Sequence, residues 1–133
     1  MKYAIICVDD EPVVVDLLRF QLSKLFNTES VAIETFTDPK EVAGGITDLL
    51  NFGIDVIFLV VDYQMPDMTG VQLIRSIHSK HPKVKFFMVS GQANTLLVQQ
   101  LMEEGLLEKF IAKPWSEAEL ADAVKVFIDK YPE

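Results

Sequence analysis

The run Asp55-Val56-Ile57-Phe58-Leu59-Val60-Val61-Asp62 is apolar for six residues, rich in β-branched side chains, and closed by a carboxylate at each end. A bilayer needs about 20 apolar residues, so this run is too short to cross one. It reads as a buried strand, taken here as the third of the chain. Upstream, Tyr3 to Val8 is another apolar run. A helical pattern follows it, with Val14, Leu17, Leu18, Leu22 and Leu25 on one face. Val31 to Phe36 alternates apolar and polar residues, as a half-buried strand does. Asp38-Pro39 then offers a cap and a first-turn proline for a helix running to about Asn51. Gly44-Gly45 weakens that helix by about 1 kcal/mol per glycine relative to alanine.

Downstream, Thr69 with Gln72 gives a capping-box start to a helix through Ser79, with Leu73, Ile74 and Ile77 facing inward. Lys85 to Ser90 is the fourth strand, Asn94 to about Glu104 the fourth helix, and Lys109 to Ala112 a short fifth strand. Ser116 with Glu119 caps the last helix, which carries Leu120, Ala121, Val124, Phe127 and Ile128 at helical spacing, with Phe127 and Ile128 expected in the core. No internal repeat, low-complexity stretch or linker interrupts this order. Strict alternation of strands and helices predicts an α/β fold whose parallel sheet is covered on both faces. Right-handed crossovers leave few topologies, among them a doubly wound five-stranded sheet of order 2-1-3-4-5. In such sheets ligands bind beyond the carboxyl ends of the strands, where the winding reverses.

Bulk properties narrow the classes. The 133 residues fit one domain, spanning 1–133, and 50% of them are hydrophobic, enough for a sizeable core. A net charge of −8 makes nucleic acid a poor direct partner, because phosphate contacts need a basic surface. It suits a protein that meets other proteins or cations. No apolar run reaches spanning length, so no membrane is expected, and Met1-Lys2-Tyr3 is expected to enter structure at once, without a leader. The single cysteine, Cys7, has no internal disulfide partner and no metal-ligand spacing around it. A small buried hydrophobe is the expected role of Cys7, and a cytoplasmic setting is expected for the chain.

The strand ends carry the chemistry. The first strand ends in Asp9-Asp10-Glu11, the third in Asp62, the fourth in Ser90-Gly91, and the fifth leads to Lys113-Pro114. Three carboxylates converging on one rim repel each other unless a cation sits among them. Hard oxygen ligands at a shallow rim suit Mg²⁺. A carboxylate can act as a nucleophile towards a phosphoryl group, giving an aspartyl phosphate. Mg²⁺, the Lys113 ammonium and the Ser90 hydroxyl with nearby backbone N–H groups would then neutralise the equatorial oxygens. Alone, Asp9-Asp10-Glu11 reads equally well as the charge that favours a helix N-terminus, and Glu11 is better read that way. His78 and His81 have no partner ligand at matching spacing and are read as surface residues.

Four segments together resemble the signatures of response-regulator receiver domains. They are Val8-Asp9-Asp10-Glu11-Pro12, Asp62-Tyr63-Gln64-Met65-Pro66-Asp67-Met68-Thr69-Gly70, Val89-Ser90-Gly91 and Lys113-Pro114-Trp115. The resemblance spans essentially the whole chain and implies a flavodoxin-like fold. It makes Asp62 the phosphoacceptor. Asp9, Asp10, Asp62 and the Gln64 backbone carbonyl would be the Mg²⁺ ligands. Ser90 would be the switch hydroxyl, Phe110 the aromatic that swings inward, and Lys113 the phosphate-contacting lysine, with a cis bond to Pro114. Gln64 and Gln92 match positions that tune hydrolysis of the phosphoryl group, and neither is acidic. The implied donor is a histidine kinase or histidine phosphotransfer protein. The fourth helix, fifth strand and fifth helix would form the face for an output domain or homodimer, and the module would be a switch that assists its own phosphorylation rather than an enzyme.

Two departures from the pattern stand out. The third strand is one or two residues long ahead of Asp62, which should alter only the preceding loop. Phe110 lacks the hydroxyl of the frequent tyrosine, so its switch would rest on packing. The apolar residues Leu96, Leu97, Val98, Leu101, Met102, Leu106 and Leu107 exceed one core stripe, and read either as a partner surface or as a wide core face. Two other functions compete. One is a receiver fold that binds partners without phosphorylation. The other is a small aspartyl-nucleophile phosphatase of the haloacid-dehalogenase type, which wants an acid where Gln64 stands. The chain would either stand alone or be a piece of something longer.

Overall fold

Five strands form the sheet: β1 (Tyr3–Val8), β2 (Val31–Phe36), β3 (Asp55–Val61), β4 (Lys85–Ser90) and β5 (Lys109–Ala112). They pair in parallel in the order β2-β1-β3-β4-β5, as the alternation predicts. The helices are α1 (Pro12–Leu25), α2 (Val42–Asn51), α3 (Gly70–Lys80), α4 (Leu96–Glu103) and α5 (Glu117–Lys130). This computed structural model describes residues 1–91 and 96–131. The expected start of the fourth helix at Asn94 lies outside the described residues, and so does Gln92. Among the described residues no helix is long and apolar enough to cross a membrane.

The helices divide between the two faces. Ile6, Val8, Leu59, Val61, Phe86 and Met88 point towards α2, α3 and α4, where Ile46, Ile74, Ile77 and Leu101 cover them. Ile5, Cys7, Phe58, Val60, Phe87 and Val89 point towards α1 and α5, under Leu18, Leu22, Leu120 and Val124. Both capping boxes form with their bonds reciprocated, at Thr69 with Gln72 and at Ser116 with Glu119. Asp38 caps a single 3-10 turn, Pro39–Glu41, which leads into α2. Gly53 and Gly105, both at positive φ, stop α2 and α4. In each case the next residue's N–H reaches back five residues, Ile54 to Leu49 and Leu106 to Leu101.

Three expectations are corrected. The extra length of β3 is not absorbed in the preceding loop. The register with β1 jumps from Ala4↔Val56 to Ile5↔Phe58, so the added residue is a bulge at Ile57. Ile57 and Phe58 therefore point to the same face, and both join the α1/α5 core. On α1 the buried stripe is Val15, Leu18, Gln21 and Leu22, while Leu17 is exposed together with Val13 and Phe20. Phe127 and Ile128 only partly enter the core, although the Phe127 ring lies 5.0 Å from that of Phe58. Cys7 is fully buried, and burial pushes its thiol up to about 12, as suits an inert core residue.

Candidate functional site

The sheet's hydrogen-bond ladder continues past the strand ends and carries the polar residues with it. Asp9 N–H donates to the Phe36 carbonyl at 3.2 Å, Asp62 N–H to Val8 at 3.0 Å, and Lys113 N–H to Ser90 at 3.0 Å. Backbone pairing thus fixes Asp9, Asp62, Ser90 and Lys113 on one edge, at the point where α1 and α3 leave for opposite faces. The loop after β3 turns back through Asp67, at φ 67°, and the Gly70 N–H donates to the Tyr63 carbonyl at 2.7 Å.

The side chains converge there. Asp9 is buried, and its Oδ1 accepts the Glu11 N–H at 2.9 Å while its Oδ2 accepts from Lys113 Nζ at 2.8 Å. Lys113 Nζ also stands 3.4 Å from Asp62 Oδ1, so one ammonium lies between two nearly buried carboxylates. Asp9, Asp10 and Asp62 each offer an oxygen within 4.8 Å of the others. Asp10 is the exposed member of the three. That donor set, hard, anionic and open to water on one side, fits Mg²⁺. Asp10, Asp62, Gln64, Ser90 and Lys113 line one cleft of about 690 Å³. The Lys113–Pro114 peptide is cis. Phe110 does not line the cleft; it lies half-buried against the α2/α3/α4 core, opposite Met88. His78 and His81 join no metal-ligand group among the described residues.

Sequence reasoning missed two supports. Gln21 is buried on α1, and its Oε1 accepts the Trp115 Nε1–H at 2.8 Å, tying α1 to the loop that carries Lys113. Its place three residues after Leu18 on the buried stripe was the available signal. The other is Gly70, where any Cβ would run into the Asp62 carbonyl oxygen.

Burial, followed by the charge of Asp9, pushes the Asp62 carboxyl above its ordinary value, while Lys113 pulls it back. For Lys113, burial acts against the charge, but the Asp9 hydrogen bond and the two carboxylates hold the ammonium above its usual range. The folded state therefore binds the Asp62 proton more tightly than the unfolded chain does. The contribution of Asp62 to native stability falls as pH rises from the ordinary value of 3.8 through the raised folded value. Without divalent cation, Asp62→Asn is expected to raise the melting temperature at pH 7, with the gain vanishing below the ordinary carboxyl value of 3.8. A variant that melts lower than wild type at pH 7 contradicts this account of the cluster.

The sequence profile of the response regulator receiver domain matches residues 5–125. The chain belongs to that family. Over 93 residues this receiver is 34% identical to the sensor kinase CckA of Brucella abortus, covering 68% of the receiver and 10% of the kinase. It is 26% identical over 123 residues to the transcriptional regulatory protein FixJ of Rhizobium meliloti, covering 92% of the receiver and 55% of FixJ. The receiver thus spans only part of each relative. A chain in the crystal structure of a CheX-CheY-BeF3-Mg²⁺ complex from Borrelia burgdorferi superposes with a TM-score of 0.73 at 25% identity. The match covers 94% of this receiver and 89% of that chain. The family is one of signalling switches, and the 2-1-3-4-5 sheet is its fold.

Proposed function

We propose that residues 1–133 form one phosphorelay receiver module, which takes a phosphoryl group onto Asp62 from a histidine kinase or histidine phosphotransfer protein in the cytoplasm. The observation that carries this reading is the Lys113 ammonium set between Asp9 and Asp62, with Asp10 beside them at the mouth of one cleft. An Asp62 carboxylate oxygen attacks phosphorus, the O–P bond forms as the donor's N–P bond breaks, and the donor ring, protonated on its other nitrogen, takes the electron pair and leaves as neutral imidazole. Asp9, Asp10, Asp62 and the Gln64 carbonyl oxygen would hold Mg²⁺, which would supply positive charge to the phosphoryl oxygens. Lys113 binds a second phosphoryl oxygen from the position it already holds beside Asp62. The Ser90 hydroxyl takes the third, drawn from the end of β4.

That movement is the switch. Ser90 pairs with Ala112, and Met88 with Phe110, along one β4–β5 ladder, so a shift of Ser90 is felt where Phe110 packs. Leu96, Leu97 and Met102 are exposed on α4 while Val98 and Leu101 are core, which supports an output or homodimer face on α4, β5 and α5. The donor docks against α1, whose exposed Val13, Leu17 and Phe20 form a stripe rising from the cleft rim at Glu11. A phosphorylated histidine phosphotransfer protein is expected to label the wild-type chain in the peptide containing Asp62. Phe20→Ala should slow that transfer about tenfold while leaving labelling by acetyl phosphate unchanged. Label on any other residue overturns the assignment, and equal slowing with both donors overturns the docking surface.

A further inference from the structure

Gly44 and Gly45 sit side by side within α2, and the fold accounts for only one of them. A Cβ on Gly45 would run into the Phe36 ring. Nothing lies within 4 Å of the place where a Gly44 Cβ would stand. Alanine would fit there in the free protein and strengthen the helix. The same corner of the molecule exposes 83% of Phe52 and 42% of Leu50. The turn that ends α2 uses Gly53 at positive φ with Leu49 and Ile54 as its anchoring pair, and places no demand for an aromatic at Phe52.

These features frame one groove, of about 670 Å³, between α2 and the edge strand β2. Phe36, Leu49, Phe52 and Ile54 are its apolar lining, and Gly44 and Gly45 line it without a side chain. Glu34, Glu41 and Asp48 line its sides, and no cationic residue lines it. None of its residues lines the acid cleft, so occupancy here is separable from phosphorylation of Asp62. A second copy of the chain would bring the same carboxylates and the same net charge of −8 against it. An anionic bilayer is repelled on the same ground.

We infer that this groove docks a basic amphipathic helix of another protein. The partner's backbone passes close over Gly44, one large apolar side chain seats against Phe52, and flanking lysines or arginines meet Glu34, Glu41 and Asp48. The bare Gly44 surface is what permits that close approach.

The test is an amide chemical-shift titration of the full chain with a synthetic helix of ~18 residues, leucines along one stripe and lysines elsewhere. A matched peptide carrying glutamates for lysines is the control. The lysine peptide is expected to shift the amides of Gly44 and Phe52, and the glutamate peptide to leave them in place. Phe52→Ser and Gly44→Ala should each weaken binding about tenfold. Gly44→Ala should also raise the melting temperature of the free protein, which separates lost docking from lost folding. The inference is overturned if the lysine peptide causes no shifts, if they centre on Asp10 and the acid cleft, if both variants bind as wild type does, or if the glutamate peptide binds equally. Concentration-dependent self-association that Phe52→Ser abolishes overturns it in favour of a second copy, and a Gly44→Ala variant that melts lower removes its premise.

Discussion

Gly70→Ala is expected to unseat the Asp62 carboxylate and destabilise the fold together. A Cβ at this position would overlap the Asp62 carbonyl oxygen and come within 3.0 Å of its carbon and 3.1 Å of the Tyr63 Cα. All three atoms are backbone, so no rotamer change relieves the clash. Nor is the backbone free to yield: Asp62 N–H is bonded to Val8, and Gly70 N–H to Tyr63. Either the first turn of α3 lifts or the end of β3 moves. Overpacking costs about 1–3 kcal/mol, and a weakened buried hydrogen bond about 1 more. A displacement of Asp62 approaching 1 Å would slow phosphorylation about 100-fold. The sign is opposite to that expected at Gly44, on an open helix surface, although the substitution is the same. Denaturant midpoints and initial rates of labelling by acetyl phosphate check it. Wild-type values for both would show that the close approach of α3 to β3 is not needed.

Lys113→Met is expected to lower phosphorylation by about 100- to 1,000-fold, because it removes the ammonium that stands 3.4 Å from the Asp62 carboxylate proposed to accept the phosphoryl group. The same change leaves Asp9 buried beside Asp62 without its cation. Breaking a buried pair by deleting one partner costs about 3–5 kcal/mol, and Lys113 is partly exposed, so the lower end applies here. Mg²⁺ should restore most of that stability, since it neutralises the same carboxylates, without restoring the rate. Melting curves with and without Mg²⁺, beside labelling rates, separate the two effects. Labelling of Lys113→Met at the wild-type rate would remove Lys113 from the reaction.

The acid cleft was legible in the sequence because its parts stand at strand ends, and strand ends are where apolar runs stop. Val8 and Val61 close such runs, and the next residues are Asp9 and Asp62. Helix starts were equally readable, since Thr69 with Gln72 and Ser116 with Glu119 satisfy their own backbone groups locally. The bulge at Ile57 was not, because a strand buried on both faces has no alternation to betray a slipped register. The facing of α1 was misread for a related reason. With Val13, Val14, Val15, Leu17 and Leu18 adjacent, several stripes are apolar, and only packing under β1 and β2 selects Val15. Gln21 was missed because its partner, the Trp115 indole, arrives from a distant loop. Gly70 belongs to the same class, since what it must avoid is a backbone atom eight residues earlier.

Intact mass after incubation with acetyl phosphate, for wild type and Asp62→Asn, each with and without Mg²⁺, tests phosphoryl acceptance at Asp62 most directly. The expected result is a single phosphoryl adduct on the wild type in Mg²⁺, absent when the cation is withheld and absent from Asp62→Asn. An adduct that persists in Asp62→Asn would contradict the assignment of the nucleophile. No adduct together with no Mg²⁺ binding would contradict the phosphorelay reading, and leave a receiver fold that meets its partners without phosphorylation.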